Sequence, residues 1–400
     1  MPAHNFKGDR LKKARMYRAM TLTDLAARTN LSKQALSQYE NGTTIPVMSN
    51  LFALSTALNF PVEYFSIVAN IKCDVEQSEA TYFRSLLSTT KKDRLAQSVR
   101  LEFIAQIYAV LRGYVNFPTL SLPDVSFSDY LCWSEFDEAH ESEQIELIAT
   151  QVRQSWELGD APIENLRFAL EERGIVIICT DINALKIDAF SQRILVNNNE
   201  NYFIVISKDR QSIARARFDM AHELAHILLH PWSEDLESIS KDDFRARERQ
   251  ANTLASAFLL PRSTFAPDIM CYPTNLDYYL HLKKKWAVSV KAMIYRTHKL
   301  GIISTNQYQY LMRQYSRNGW NSGEPDDLPY SPTSTLLKSA VKLIFKEGVV
   351  TVEGFLSALK MRGVALHPSE IEEILCLDKG TLTPISAPRG QIISLKSIAD

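Results

Sequence analysis

Residues 222–226 read His222-Glu223-Leu224-Ala225-His226. On a helix, positions four apart stack on one face, so the two imidazoles aim at a common point with a carboxylate between them in sequence. That arrangement is a zinc-hydrolase signature. The flanking residues fit a helix from Ser212 to His230, with Met220, Leu224 and Ile227 on one face and His222 and His226 on the opposite one; Pro231 ends it.

A catalytic zinc commonly takes three protein ligands and keeps a fourth position for water, so a third donor is expected downstream. His230 continues the first helix, but eight residues of helical rise put it roughly 12 Å from His222, too far to share an ion. Its expected place is the cleft wall or the helix end. Glu248 opens a second helical stretch that runs to Leu259-Leu260-Pro261, and it is the expected third ligand.

Arg217-Phe218 before the motif, Leu228-Leu229-His230 after it, and the Glu248-x-x-Ala251-Asn252 helix ending Leu-Leu-Pro resemble the ImmA/IrrE family of zinc metallopeptidases. The resemblance implies zinc held by His222, His226 and Glu248, with Glu223 as the base. A hydrolase of this kind independently needs a carboxylate beside the metal to carry a proton from water to the leaving amine. Ala225 stands where such proteins often carry glycine, a small and helix-favourable replacement.

Before the zinc helix, Gly174–Cys179, Ile187–Ser191, Arg193–Val196 and Tyr202–Ser207 are rich in Ile, Val and Phe and broken by Asn and Asp, which predicts a small sheet. An edge strand of that sheet would pair with a peptide main chain. Asp188-Ala189-Phe190-Ser191 resembles a recurring family element that either touches substrate or packs.

The N-terminal region carries a second signal. Helical segments are predicted over Arg10–Ala19, Thr23–Thr29 and Ser32–Asn41, with Thr21 or Thr23 and Ser32 as caps and Gly42 as a stop. Leu22-Thr23-Asp24-Leu25-Ala26-Ala27, then Leu31-Ser32-Lys33-Gln34-Ala35-Leu36-Ser37-Gln38-Tyr39-Glu40-Asn41-Gly42, resemble the Cro and C1 repressor type, the XRE family, over residues 7–66. That resemblance implies a helix-turn-helix whose Lys33, Gln34, Ser37 and Gln38 face base edges in the major groove of double-stranded DNA. Between residues 7 and 47, Lys7, Arg10, Lys12, Lys13, Arg15, Arg18, Arg28 and Lys33 oppose only Asp9, Asp24 and Glu40, whereas the whole chain has a net charge of −1. A local basic lobe is the electrostatic mark of phosphate contact.

The fold class expected is mainly α with a small β-sheet: an all-α helix-turn-helix domain at 7–66, a helical linker region at 67–140 with a helix over Thr81–Tyr114, an α+β zincin-like domain at 141–270, a helical extension at 271–320 and a small helical module at 336–400. Helices are also expected over Glu143–Gly159 and Leu166–Glu172. The extension echoes a helix-turn-helix at Lys285–Arg296, which either touches DNA or braces the peptidase. Gly319–Thr335 reads as a linker. With 46% hydrophobic and 23% charged residues the 400-residue chain is ordinary for a soluble protein, and no run approaches the length of a membrane span. The five cysteines, at 73, 132, 179, 271 and 376, form no paired spacing, which suits a reducing cytoplasm.

Together these features predict a DNA-binding regulator with an attached zinc endopeptidase, working as a homodimer on paired half-sites, and the family resemblance implies that it cuts a protein partner such as a repressor or antitoxin. The alternative is a non-catalytic transcription factor whose zincin-like domain senses a ligand or dimerises.

Overall fold

The computed structural model describes residues 5–67, 75–83, 90–123, 138–180, 189–207, 212–230, 232, 239–329 and 335–383. Cys73, Cys132, Ile187, Asp188, Pro231 and the end of the C-terminal module lie outside the described residues. The molecule is mainly helical with one small sheet, as expected.

Four helices form the N-terminal domain: α1 (Gly8–Tyr17), α2 (Leu22–Thr29), α3 (Lys33–Glu40) and α4 (Met48–Leu58). Local chemistry sets their ends. The Thr21 hydroxyl accepts from the Asp24 backbone N–H while the Asp24 carboxylate accepts from the Thr21 N–H, a reciprocal cap that starts α2. Asn30 takes the left-handed conformation at φ 55°, turning the chain into α3, which Ser32 caps through the Ala35 N–H. Gly8 has no substitute here: a Cβ on it would lie 2.2 Å from the Tyr39 carbonyl oxygen, so α1 and α3 pack backbone to backbone.

The sheet has strand order β1 (Val75–Phe83), β3 (Ala189–Val196), β4 (Asn199–Ser207), β2 (Val176–Thr180). β3 pairs antiparallel with both β1 and β4, and β4 runs parallel to β2. Asn197 and Asn198, at φ 51° and 59°, make the two-residue turn between β3 and β4; asparagine tolerates that conformation.

Alternation along the strands makes the sheet a shared wall. Phe190, Ile194, Val196, Phe203 and Val205 join one core with α5 (Lys91–Leu111), the N-terminal helices and three C-terminal helices, α14 (Leu336–Lys346), α15 (Val352–Met361) and α16 (Pro368–Ile374). Ala189, Tyr202, Ile204 and Ile206 face the other core. That core takes in α6 (Glu138–Ser155), α7 (Leu166–Glu172), α8 (Ile213–Leu229), α9 (Lys241–Leu259) and, beyond them, α10 (Arg262–Met270), α11 (Leu276–Trp286), α12 (Val290–Lys299) and α13 (Thr305–Arg317).

Four expectations are corrected. Thr81–Phe83, expected in a helix, end strand β1, and the helix begins only at Lys91, where Thr90 caps it through the Asp93 N–H. The apolar runs either side of Gln192 are one strand, β3, because both pair with the unbroken β4. Glu248 lies within α9 rather than at its start: Ser240 caps the helix through Asp243, upstream of the apolar pattern read from sequence. Residues 319–329 are a strap fixed to the domain. The Glu324 carboxylate accepts from the Val290 and Lys291 N–H groups, Lys283 Nζ reaches Glu324 at 3.0 Å and also pairs with Asp327, and Ile213 N–H donates to the Leu328 carbonyl.

Candidate metal centre

Helix α8 is buried along almost its whole length, and two arginines tie the helices around it to the chain. Arg217 Nη2 donates to the Ile163 carbonyl at 2.6 Å, and burial lowers its guanidinium to about 10. Arg153 of α6 donates to the carbonyls of Gly159, Ala161 and Phe258, the last near the C-terminal end of α9 where unsatisfied carbonyls favour a cation. α6, α8 and α9 are thereby held in fixed mutual register.

That register brings His222, His226 and Glu248 together. The His222 and His226 Nε2 atoms are 3.1 Å apart, and the Glu248 oxygens lie 3.4 Å from the first and 3.3 Å from the second. A tetrahedral ion with bonds of ~2.0–2.1 Å requires its donors about 3.3–3.4 Å apart, so the triangle has the size of three corners of such a site. These three residues are the only His, Cys, Asp or Glu cluster of ligand geometry among the described residues. Burial by itself would raise the Glu248 carboxyl, but the hydrogen bonds and charge of His222 and His226 outweigh it and hold the group well below the usual carboxylate range. The donor set therefore fits a divalent metal.

His230, expected at the cleft wall or helix end, is buried at the end of α8 behind His226. Its Nδ1 lies 2.9 Å from His226 Nδ1, and its Nε2 lies 2.9 Å from the side-chain oxygen of Gln250 on α9. Burial, reinforced by His226, holds His230 well below its ordinary value, so its ring is neutral. Because the Gln250 oxygen only accepts, His230 carries its proton on Nε2 and its Nδ1 accepts from His226 Nδ1–H, the tautomer that frees the His226 Nε2 lone pair for a metal once one replaces the contact with Glu248. Sequence reasoning missed Gln250; its position two residues after Glu248, on a helix already assigned to the site, was the available signal.

Glu223 follows His222 on α8 and is buried with it. Ser191 Oγ of β3 donates to Glu223 Oε2 at 2.6 Å, so the Ala189-Phe190-Ser191 element holds the expected base. His222 and Glu223 are 0% exposed, His226 is 1%, and the Glu248 side chain, at 19%, is the part of the cluster that reaches the surface. A cleft of about 480 Å³ begins one turn away, at Asp219 on α8 and Arg249 and Asn252 on α9. Its far wall is Tyr295, Tyr308 and Trp320.

In the N-terminal domain, Lys33 and Gln34 are exposed at the start of α3, and Ser37 and Gln38 follow half-buried on the same helix. The basic lobe is smaller than composition suggests. Arg15 makes two bonds to Glu40, Arg18 two to Glu370 of α16, Arg10 donates to the Gly363 carbonyl, and Lys13 pairs with Glu102 of α5. These four cations join helices to one another, while Lys7, Lys12, Arg28 and Lys33 remain exposed.

Residues 170–298 match the family model described as the IrrE N-terminal-like domain, a peptidase family, and residues 11–65 match the family model described as Helix-turn-helix. The chain thus joins an N-terminal helix-turn-helix domain of the XRE type to an ImmA/IrrE metallopeptidase-like domain. No curated protein matches the chain in a sequence search. Among the described residues no helix is long and apolar enough to cross a membrane.

Proposed function

We propose that this protein is a transcriptional regulator that binds operator DNA through α3 and carries a zinc-dependent endopeptidase acting on a protein partner such as a repressor or antitoxin. The observation that carries the reading is the triangle of His222, His226 and Glu248 donors with Glu223 held beside it by Ser191. In this reading His222, His226 and Glu248 hold the zinc, which when bound supplies Lewis acidity toward a carbonyl oxygen and toward water. Glu223 takes a proton from the attacking water and returns it to the leaving amine. Ser191 fixes the carboxylate's orientation, and Gln250 and His230 set the tautomer of His226.

In this reading Lys33, Gln34, Ser37 and Gln38 of α3 read base edges, since glutamine pairs with adenine and lysine with guanine acceptors in the major groove. Paired half-sites would call for a homodimer. A second reading, a sensor or dimerisation module without catalysis, draws on the burial of His222 and Glu223.

Elemental analysis of wild type beside His222→Ala, Glu248→Ala and Glu223→Gln tests the proposal. About one zinc per chain, lost in the first two variants and kept in the third, is expected, with proteolysis lost in all three. Metal-free wild type would reject it, and zinc retained with Glu223→Gln behaving as wild type would select the second reading.

A further inference from the structure

A strand edge beside a proteolytic site is the natural seat for an extended substrate, because its unpaired N–H and C=O groups bind any main chain laid antiparallel to them. β3 is that strand here, since it carries Ser191 and Ser191 holds Glu223. One side of β3 is occupied by β4. The other side is occupied by the chain itself: Val75 pairs with Val196, Glu76 with Leu195 and Gln77 with Ile194, and then Thr81 pairs with Gln192, Tyr82 with Ser191 and Phe83 with Phe190.

Two features of this pairing bear on chemistry. Tyr82 stands in register with Ser191, the residue that holds the candidate base, so β1 crosses the sheet at the level of the site. Between Gln77 and Thr81 the register shifts, with Ser78, Glu79 and Ala80 standing against Arg193 alone. Such a bulge frees peptide groups from the ladder opposite Arg193, two residues along β3 from Ser191. β1 also lies between the N-terminal domain and α5, on the covalent tether of the DNA-binding helices.

We propose that residues 75–83 are a substrate of the chain's own metal centre, cut in cis between Gln77 and Tyr82. The proposal rests on the peptidase reading and names a substrate for it. Hydrolysis breaks one amide C–N bond: the water oxygen bonds to the carbonyl carbon, and the amine leaves with a proton delivered by Glu223. A tethered strand meets the site at an effective concentration on the order of millimolar, so no external affinity is required. The cut removes the covalent link to the DNA-binding helices, which are then held by contacts such as Arg18 with Glu370 and Arg10 with the Gly363 carbonyl.

The test follows purified full-length chain, zinc-supplemented, by intact mass spectrometry beside Glu223→Gln and the double variant Thr81→Pro with Tyr82→Pro. Successive residues of a strand point their N–H groups to opposite sides, so the two prolines remove a ladder donor whichever one faces β3. Two fragments summing to the intact mass plus water are expected from wild type, with a new terminus between Gln77 and Tyr82 and a rate independent of protein concentration. Loss of the fragments is expected in both variants. Hydrogen exchange on metal-free Glu223→Gln reads the pairing directly: β3 amides should be protected there and lose protection when the two prolines are added. Wild type that holds one zinc per chain and stays intact overturns the cis cut and leaves the peptidase reading standing; absence of zinc overturns both. Equal fragmentation of Glu223→Gln, or unchanged β3 protection with the prolines, also overturns it.

Discussion

Ser191 Oγ donates a 2.6 Å hydrogen bond to Glu223 Oε2, linking a strand to the helix that carries both histidines. A carboxylate meant to move a proton must be held at one angle, and here a neutral hydroxyl does so without adding charge. Ser191→Ala is therefore expected to keep about one zinc per chain while activity falls about 10- to 100-fold, the usual range for a residue that orients a reacting group. Steady-state kinetics beside elemental analysis would check it, and unchanged activity would remove Ser191 from the mechanism.

Gln250 reaches the metal point only through two imidazoles. Gln250→Leu removes the acceptor that keeps the His230 proton on Nε2, so the His226 tautomer is no longer selected. Zinc affinity measured by chelator competition is expected to drop about tenfold or more, with the fold unchanged by circular dichroism. Equal affinities would show that the relay is packing and nothing more.

Glu171 of α7 is raised to about 7 by burial, against the pull of the Leu336 N–H bond and of Arg167. A carboxyl raised in the folded state contributes stability that is fully present below its unfolded value of 4.5 and is lost as pH rises through about 7. Glu171→Gln has no such titration. Its stability relative to wild type should rise between pH 4.5 and 7 by at most about 3 kcal/mol. Denaturant unfolding at pH 5 and pH 8 reads the difference, and a pH-independent gap between the two proteins contradicts the assignment.

Lys33 and Gln34 are exposed at the start of α3 and contribute nothing to the buried core. Lys33→Ala with Gln34→Ala should abolish preference for a cognate operator, at about 1–3 kcal/mol per lost base contact, without changing the melting temperature. A gel-shift competition against unrelated DNA is decisive, since unchanged selectivity would take α3 out of the groove.

Much of the site was readable along the chain because a helix converts spacing into geometry. The spacing of four from His222 to His226 places both rings on one face whatever surrounds them. The caps at Thr21 and Ser32 are equally local, and so the DNA-binding helices fell within two residues of their observed ends. Strand β1 was not legible for the opposite reason. Its partner β3 lies more than a hundred residues away, and a segment such as Val75–Phe83 becomes a strand only when that edge is offered to it.

The sequence by itself determined two domains of different chemistry and the residue types that could hold a metal, since these depend on periodicity and caps within one or two turns of helix. Tertiary structure alone decided that Ser191 and Gln250 serve the site, that half of the basic lobe is spent holding helices together, and that the open side of β3 is filled by the chain itself. Each of those facts is a contact between segments distant in sequence, fixed by which surfaces bury together rather than by any pattern within either one.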